Sequence, residues 1–459
     1  EGYGPNHRIM DYFLDEKISL VITLDCGTTS FGILDNAKYK SLDVIIIDHH
    51  ISENKMPNVF GLINPNRNDD DSNLNNLAAV GVTFLFLVAL RRELRSRKFY
   101  TLNNFNEHNL TSYLDLVALG TTCDVVALTN LNRAYVSRGL EIMYKRENKG
   151  LSSLIDISNI KHSPTVFDLS FILGPRLNAA SRIGDSTLPS KILSSSNLIE
   201  IESIARKLQL LNEKRKLIEN TILTEAIEQV YKQSDKKVLI AHSFNWHPGV
   251  IGIVASRILE EFQKPTIVIS KFSKEGVGSA RSLPNINLGS LIIAAKEEGI
   301  ILKGGGHRFA AGLKINNEMI NKFSVFLEKK IDLNHTNFTE YSNTFDSIIS
   351  LEQINDDLLN SIDLLEPYGN GNKEPKFLIN NLNLNVIKII KNKHISMSFN
   401  NNLGNSINGI CFNVVNTILG DHIMNSKNKT LNIIATIKRN NFSNKSVAQL
   451  IVNDVAYSE

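Results

Sequence analysis

The sequence has few cysteines, and none of them is placed to pair with another. Its three cysteines, Cys26, Cys123 and Cys411, lie far apart along the chain. A disulfide-stabilised secreted domain and a cysteine-rich zinc site both need cysteines at short, paired spacing, so both classes are excluded. A reducing compartment is the expected setting, and we predict a cytoplasmic protein.

Long apolar runs and a strong excess of one charge are also missing. No run approaches the ~20 apolar residues that cross a bilayer, and no signal-peptide pattern opens the chain, so no membrane partner is expected. The formal net charge is only +3, which permits a nucleic-acid partner without requiring one. The 459 residues exceed one hydrophobic core, and at roughly 100–200 residues per domain they predict two to four domains.

Two short apolar runs near the start of the chain end in acidic residues. Residues 18–24 and 44–47 are rich in β-branched side chains, which is typical of buried parallel strands. Asp25 follows the first run and Asp48 follows the second, whereas Asp124 follows a third apolar stretch. Because ligands of open α/β sheets bind beyond the carboxyl ends of the strands, these acidic residues predict one common site.

The tripeptide Asp48-His49-His50 is the sharpest local signal. Carboxylate and imidazole together suit Mn²⁺ or Zn²⁺, and carboxylates suit Mg²⁺ or Mn²⁺. An isolated tripeptide of this kind can equally be a polar surface turn, but that alternative weakens because Asp25 and Asp124 also follow apolar elements. Such a group can hold one or two divalent ions, and two ions about 3.5–4 Å apart stabilise the attacking and leaving oxygens of a phosphoryl displacement.

The rest of the chain divides by its periodicity. Residues 187–232 have helical periodicity and predict one or two long helices joining two domains, and a second α/β unit follows. Beyond about residue 340, alternating apolar stretches predict a small antiparallel β-domain, with a barrel as one possible form. The expected domains are residues 1–186, 187–232, 233–332 and 333–459.

Three glycine- or arginine-containing motifs in the second α/β unit predict contacts to a phosphate backbone. Residues 247–257 open a helix with glycines, Arg281 stands between two serines, and 304–312 reads as a glycine-rich loop. Residues 174–182 carry two further arginines, for which a solvated helix start is the alternative. The candidate substrate-binding residues are Arg176, Asn178, Arg182, His247, Ser279, Arg281, Gly305, Gly306 and His307.

These motifs, in this order, resemble the DHH phosphoesterases and, within them, the RecJ-type single-strand-specific exonucleases, over nearly the whole chain. The motifs that carry the resemblance are 24–27, 48–50 and 120–126 for the DHH domain, 247–257, 278–282 and 304–307 for the DHHA1 domain, and 174–182 and 365–372 for the RecJ type. The resemblance implies an α/β fold: a DHH parallel-sheet domain joined by a long helix to a smaller α/β DHHA1 domain, followed by an OB-like β-barrel.

The resemblance also implies roles for single residues. Asp25 is expected to bridge two divalent cations, Mn²⁺ or Mg²⁺, and His49 and Asp124 to ligate one of them. Asp48 and His50 are the expected catalytic residues, with Asp48 supporting the metal ligands and His50 contacting the scissile phosphate.

The implied substrate is single-stranded DNA. The arginine and glycine motifs are expected to hold it near its 5′ end, and the barrel is expected to bind it further along. The barrel's candidate residues are Lys388, Lys391, Lys393, Lys438, Arg439, Lys445, Phe399, Phe412 and Phe442, although a solvated face and a core explain most of the aromatic ones equally well.

One expected motif is missing. The resemblance predicts an Asp-x-Asp motif well before Asp25, but only twenty-four residues precede Asp25, and Asp11 and Asp15 lie in a helix-like stretch instead. The chain is therefore expected to be truncated within its metal-binding half. Residues 1–459 alone are expected to bind DNA but to cleave it poorly.

Three functions remain open on this basis. The first is a 5′→3′ exonuclease that hydrolyses single-stranded DNA to 5′-mononucleotides with metal-activated water, in repair and recombination. The second is a DHH phosphodiesterase acting on short oligonucleotides or cyclic dinucleotides, against which the 365–372 motif and the extra C-terminal domain count. The third, for this fragment, is a non-catalytic single-strand-binding module. The expected assembly is a monomer, with a helicase and a single-strand-binding protein as candidate partners.

Overall fold

The computed structural model describes residues 4–52, 54–331, 344–440 and 447–458. The chain divides into two compact units. The first unit comprises Glu1–Lys145, Ser163–Ser170 and Ser342–Glu459, and the second comprises Arg146–His162 and Phe171–Tyr341. Within the described ranges, every helix is too short or too polar to cross a membrane. The domain boundaries predicted from the sequence motifs stay a prediction. The boundary between residues 332 and 333 lies outside the described residues.

A parallel sheet forms the start of the first unit, as the two apolar runs predict. Its strands are β1 (Leu20–Leu24), β2 (Asp43–Ile47) and β3 (Gly61–Ile63), in the order β1-β2-β3. Leu24 pairs with Ile47, and Ile47 pairs with Ile63, so the three strands end level with one another. Residues that directly follow the strands therefore emerge side by side at one edge of the sheet.

The helices of this part are α1 (His7–Asp15), α2 (Phe31–Leu34), α3 (Ala79–Ser96), α4 (Phe99–Leu102), α5 (Leu114–Cys123) and α6 (Asn130–Tyr144). Helices α5 and α6 pack closely at Gly139, where a Cβ atom would lie 2.2 Å from the carbonyl oxygen of Leu114. Ile47, Leu77 and Val117 share the core between this helical layer and the sheet. This packing holds the end of α5, and so Asp124, firmly within the first unit.

Helices dominate the start of the second unit: α7 (Lys149–Ile157), α8 (Gly174–Ile183), α9 (Leu188–Ser194) and α10 (Leu198–Tyr231). The side chain of Asn197 accepts hydrogen bonds from the first N–H groups of α10, which fixes where this helix begins. Its buried residues recur at helical spacing, for example Ile201, Ile204 and Leu208. The helical periodicity of residues 187–232 thus corresponds to a short helix, α9, and one long helix, α10. That they join two domains stays a prediction.

A mixed sheet completes the second unit. Its elements are β4 (Leu239–Ser243), α11 (Ile251–Phe262), β5 (Thr266–Lys271), β6 (Glu275–Arg281), α12 (Leu288–Glu297), β7 (Lys303–Gly306), β8 (Ala310–Asn316) and α13 (Ile320–Lys330). The strand order is β4-β5-β6-β8-β7, and β4 and β5 are its parallel pair.

The expectation of a glycine-rich loop over residues 304–312 is wrong. Gly304, Gly305 and Gly306 pair with β8 as a strand, and only the tip at 307–309 is loop. Glycine is needed at position 304 because a Cβ there would lie 2.5 Å from the side chain of Ile292. Gly304 therefore allows close packing of helix α12 on the strand, and all three glycines pair with β8 in the sheet.

The C-terminal part of the first unit is a β-barrel, which confirms the predicted β-domain. Its elements are β9 (Ser347–Ile349), α14 (Asp356–Asp363), β10 (Phe377–Ile390), β11 (His394–Asn400), β12 (Ser406–Cys411), α15 (Ile418–Met424), β13 (Thr430–Asn440) and β14 (Val447–Tyr457). Five strands close in the order β11-β12-β14-β13-β10, with β10 pairing back to β11. The pairing is antiparallel except between β12 and β14 and between β10 and the added strand β9.

The aromatic residues considered for DNA binding differ in their burial. Phe399 is fully buried in it, so its role is packing, whereas Phe412 is exposed. Phe442 and Lys445 lie outside the described residues.

Candidate metal centre and phosphate-binding surface

Three predicted side chains meet at the level ends of β1 and β2, and Asp124 joins them from the end of α5. The backbone N–H of Asp25 donates to Ile47, one strand across, which places the carboxylate beside the Asp48-His49-His50 tripeptide. Nε2 of His49 lies 3.3 Å from Oδ1 of Asp25 and 3.5 Å from Oδ2 of Asp124. Nδ1 of His50 lies 4.0 Å from Asp25. The tertiary structure thus brings Asp25, His49, His50 and Asp124 to one point.

Asp48 supports this group from behind. Its carboxylate is almost fully buried and accepts hydrogen bonds from the backbone and hydroxyl of Thr28, at 3.1 and 2.7 Å, and from the backbone N–H of His49 at 2.8 Å. Burial alone would raise the pKa of Asp48, but the donated hydrogen bonds, foremost those of His50 and Thr28, hold it at about 2. An ionised carboxylate occupied by donors in this way orients its neighbours rather than reacting.

Asp48 also determines the protonation of its neighbour His50. Because the Asp48 carboxylate is ionised, it can only accept, so the contact of 2.7 Å places the proton on Nδ1 of His50. The other ring nitrogen, Nε2, is then available to a ligand or a substrate oxygen. The His50 side chain is half exposed. The predicted contact of His50 with the scissile phosphate stays a prediction, with a geometry that permits it.

His49 presents its outer nitrogen to the acidic residues. Its Nδ1 lies 3.1 Å from the carbonyl oxygen of Leu77, an acceptor, so Nδ1 carries a proton and Nε2 faces Asp25 and Asp124. The nearby Asp25 carboxylate raises the pKa of His49, and burial raises the pKa of Asp124. The negative charges that favour a proton on His49 also favour a metal cation at the same place. Metal-binding histidines are usually oriented by a hydrogen bond from the other ring nitrogen to a carbonyl or carboxylate, as His49 is here through Nδ1.

The described residues fit a divalent cation. Single donor atoms of Asp25, His49 and His50 all lie within 4.8 Å of one another. Carboxylate and imidazole donors suit Mn²⁺, and carboxylates alone suit Mg²⁺. A cavity of about 250 Å³, lined by Asp25, Asp124 and mainly apolar side chains, lies beside the cluster. A small ligand group therefore has room next to the acidic residues.

Sequence reasoning missed two supporting residues of this centre. The hydroxyl of Thr28 donates to Asp48 and accepts from the side chain of Asn64 at 2.9 Å, and Asn64 also donates to the carbonyl of His50. Asn64 directly follows β3, just as Asp25 and Asp48 follow β1 and β2. The same strand-end rule, applied to the third strand, identifies it from the sequence.

In the second unit, Arg281 lies where α11 approaches the end of β6. Its guanidinium donates to the hydroxyls of Ser256, at 3.1 Å, and Ser279, at 3.3 Å. Gly252 permits this approach, because a Cβ there would lie 3.2 Å from Nη2 of Arg281. Burial lowers the pKa of Arg281, and the charge of Arg182 lowers it further. Like charges held this close are typical of an anion-binding surface.

Two further arginines and one carboxylate, which the sequence analysis did not assign, complete this surface. Glu219 on α10 is buried and forms ion pairs with Arg215, at 2.6 Å, and with Arg257, at 2.7 Å. Burial lowers the pKa of Arg215, to which the charges of Arg182 and Arg257 also contribute. The arginine cluster, defined as Arg182, Arg215, Arg257 and Arg281, is therefore partly neutralised by the carboxylate of Glu219.

The remaining predicted substrate residues divide by position. His247 accepts a hydrogen bond from the N–H of Gly249, whose carbonyl accepts from Arg182 at 3.0 Å, so His247 lies beside the arginine cluster. Gly305 and Gly306 end β7, and His307 begins the tip that follows. The N–H of Ser282, directly after β6, donates to the carbonyl of Phe309 in this tip.

Arg176 lies apart from this arrangement by its described contacts. It donates to Gln209, at 2.8 Å, and to the carbonyl of Ile172, at 2.6 Å, whereas Asn178 on the same helix is exposed. Its observed bonds are those of a residue that fixes α8 against α10. Its substrate contact stays a prediction.

Known families match three parts of the chain. The DHH family, N-terminal domain, matches residues 3–121; the DHHA1 domain matches 235–332; and the RecJ OB domain matches 345–454. The chain is similar to the single-stranded-DNA-specific exonuclease RecJ of Bacillus subtilis (strain 168), with 31% identity over all of this chain and 56% of the relative. It is also similar to RecJ of Dickeya dadantii (strain 3937), with 34% identity over 70% of this chain and 58% of the relative.

The fold is likewise found in solved structures. RecJ from Thermus thermophilus in complex with Mn²⁺ matches with a TM-score of 0.82 and 25% identity, over 98% of this chain and 64% of that one. An exonuclease RecJ bound to manganese matches with a TM-score of 0.59 and 29% identity, over 72% of this chain and 79% of that one. The chain spans little more than half the length of the curated relatives given above.

Proposed function

Because the chain belongs to the RecJ family of DHH phosphoesterases, we propose that the complete protein hydrolyses single-stranded DNA in the 5′→3′ direction. The products are 5′-mononucleotides, and the setting is DNA repair and recombination. The observation that carries the proposal is the meeting of Asp25, His49, His50 and Asp124 at one sheet edge, in a chain that also has the DHHA1 and barrel domains. Relatives that match 70% and 100% of this chain carry the name of this activity.

The cofactors of the proposed reaction are two divalent cations, Mn²⁺ or Mg²⁺. Asp25 would be shared by both cations, and His49 and Asp124 would hold one of them. Bound cations of this kind lower the pKa of water and offset the charge that develops on the phosphate. Asp48 keeps the proton of His50 on Nδ1, so that Nε2 of His50 faces the scissile phosphate. Solved relatives in complex with Mn²⁺ and with Mg²⁺ support this choice of metals.

The arginine cluster and its neighbours hold the DNA backbone. Ser279 and Ser256 orient the guanidinium of Arg281, so that its planar donors can meet a phosphate. His247, Arg182 and the tip at Gly305–His307 add contacts near the 5′ end. This binding is electrostatic and depends strongly on salt concentration.

The barrel binds the strand further from its 5′ end. Lys438 pairs with Glu374, and Arg439 pairs with Asp356 and Asp363, so these two cations are already engaged. The exposed lysines of the β10–β11 hairpin, Lys388, Lys391 and Lys393, together with exposed Phe412, are better placed to meet a backbone and a base.

The proposed protein acts as a monomer in the cytoplasm, with a helicase and a single-strand-binding protein as co-workers. The three free cysteines support a reducing compartment. The barrel supports a polymeric strand over a cyclic dinucleotide, and the retained metal ligands support catalysis over binding alone.

The first test is cleavage by the complete protein with Mn²⁺ of 5′-labelled single-stranded DNA, the matching duplex, and a cyclic dinucleotide. Rapid release of labelled mononucleotide from the single strand alone is expected. Asp124→Ala is expected to abolish it, whereas Asp43→Asn, an exposed carboxylate at the start of β2, leaves it unchanged. A wild-type rate for Asp124→Ala refutes its metal role, and preference for the cyclic dinucleotide refutes the exonuclease.

The second test concerns the strand contact. Arg281→Met removes one phosphate contact and is expected to make the negative slope of log affinity against log salt shallower by about 0.7. The matched control is Arg138→Met, an exposed arginine on α6 that pairs with Glu141. An unchanged slope for Arg281→Met, measured by fluorescence anisotropy, excludes Arg281 as a phosphate contact.

A further inference from the structure

An unusual turn directly follows Asp124. Asp124 lies at the end of α5, and the next residue, Val125, has φ of +59°, in the left-handed region. β-branched residues strongly disfavour this region, so such a conformation persists only where the surroundings enforce it. The side chain of Val125 is 64% exposed, so its own packing cannot enforce the turn.

The main chain of this turn is held instead by Asn370, 245 residues later in the sequence. The side-chain N–H of Asn370 donates to the carbonyl of Val125 at 2.7 Å. The backbone carbonyl of Asn370 accepts from the N–H of Leu128 at 2.6 Å. Asn370 thus forms hydrogen bonds with Val125 and Leu128, the residues on either side of Val126 and Ala127.

The segment that carries Asn370 is shaped for this contact. A Cβ at Gly371 would lie 2.9 Å from the Cβ of Ala127, and Gly371 has a φ of +72°, which suits glycine. A Cβ at Gly369 would lie 2.6 Å from the side chain of Leu128. Both glycines therefore allow the backbone of this segment to approach the turn.

The same segment is anchored at its other end. Arg133, on α6, donates to the carbonyls of Leu364, Leu365 and Glu366 at 2.9–3.2 Å. Asn372 donates to Leu365 and Pro367 within the segment. The piece of chain that leads into the barrel is therefore held on the first unit at the turn that presents Asp124.

We propose that Asn370 is a positioning residue of the metal centre: by holding Val125 in its left-handed conformation, it sets the place of the Asp124 carboxylate beside His49. Residues 365–372, which lead into the barrel, thereby support the metal site. The C-terminal part of the chain then contributes to metal binding as well as to DNA binding. This inference rests on the proposed metal role of Asp124. The sequence alone does not show it, because Asn370 lies 245 residues after Val125 and only folding brings the two together.

The test measures Mn²⁺ binding by electron paramagnetic resonance, on the full chain, for two variants. Asn370→Asp keeps the size but removes the N–H donor, and Asn370→Leu removes both polar groups without adding charge. Loss of a residue that supports a metal ligand weakens metal binding roughly 10–100-fold, and that range is expected for both variants. Asn428→Asp, at another exposed asparagine of the C-terminal part of the chain, is the matched control and is expected to bind as wild type.

Hydrogen exchange gives a second readout that does not involve the metal. The N–H of Leu128 keeps its acceptor, the backbone carbonyl of Asn370, but it is expected to exchange faster in both variants because the side-chain bond to Val125 no longer holds the turn against this segment. The melting temperature is expected to be unchanged because Asn370 is exposed. If Mn²⁺ binds more weakly but Leu128 exchanges as in the wild type, the substitution does not act through the turn after Asp124, and the proposal is overturned.

The remaining outcomes are equally decisive. Wild-type Mn²⁺ affinity in both variants overturns the inference, and so does a loss confined to Asn370→Asp, since added charge then explains it. Asp124→Ala is measured alongside. If it binds Mn²⁺ as wild type, the proposed metal role fails and this inference fails with it; if only Asp124→Ala loses affinity, the inference alone fails.

Discussion

Replacing Asp48 by asparagine should cost stability at neutral pH and cost progressively less as the pH falls. The hydrogen bonds from His50 and Thr28 offset the burial of Asp48 and lower its pKa from 3.8 to about 2. One pKa unit corresponds to about 1.4 kcal/mol, so the charged form contributes about 2 kcal/mol to folding at pH 7. Asparagine resembles the protonated acid and cannot supply this contribution.

The direction of the pH dependence follows from the lowered pKa. Because the folded protein binds this proton less readily than the unfolded chain, the stabilisation is complete above about pH 5 and is lost as the pH falls towards 2. The wild type and Asp48→Asn should therefore differ by about 2 kcal/mol in free energy of unfolding at pH 7, and by roughly half as much at pH 3.

Urea denaturation followed by circular dichroism at pH 7, 5, 4 and 3 measures this difference. Asp43→Asn, an exposed carboxylate on the same strand, is the control and should change the free energy of unfolding by less than about 0.5 kcal/mol throughout. A difference for Asp48→Asn that is independent of pH, or that grows in acid, would show that the contacts of Asp48 do not stabilise its charge.

Three other substitutions test the packing around the two sites. Thr28→Val leaves the side chains of Asp48 and Asn64 without their shared hydroxyl and should destabilise the first unit by about 1–3 kcal/mol, with Thr28→Ser restoring most of it in urea denaturation. Gly249→Ala places a Cβ 2.2 Å from the carbonyl of Arg182, so it should destabilise the second unit by about 1–3 kcal/mol and weaken DNA binding in anisotropy; normal binding and stability would contradict this. Phe399→Ala should lower the stability of the barrel by about 3–5 kcal/mol, and a loss below about 1 kcal/mol would mean that the barrel core repacks.

Local pattern was sufficient for the core of the metal centre. Short β-branched runs identify β1 and β2. The end of each strand then predicts that the residue after it lies at the edge of the sheet. Since parallel strands end at one edge of a sheet, the meeting of Asp25 with the Asp48-His49-His50 tripeptide follows from the order of residues alone. The helices of residues 187–232 and the alternating strands of the barrel are visible for the same reason, because each has its own period.

Glycine runs show where local pattern fails. Residues 304–306 look like a loop because glycine is common in loops, yet they form strand β7. What decides the matter is the close packing of Gly304 on Ile292, from a helix earlier in the chain. Glycine can adopt many backbone conformations, and the residues packed around it determine which one it adopts.

The sequence by itself therefore determined the elements with a clear period, and it determined which acidic and imidazole residues follow β1 and β2. Only the tertiary structure decided which distant side chains complete the sites: Glu219 between Arg215 and Arg257, and Asn370 on the turn after Asp124. The physical reason is that backbone periodicity is a property of neighbours along the chain, whereas hydrogen bonds and ion pairs between elements depend on packing that no local pattern encodes.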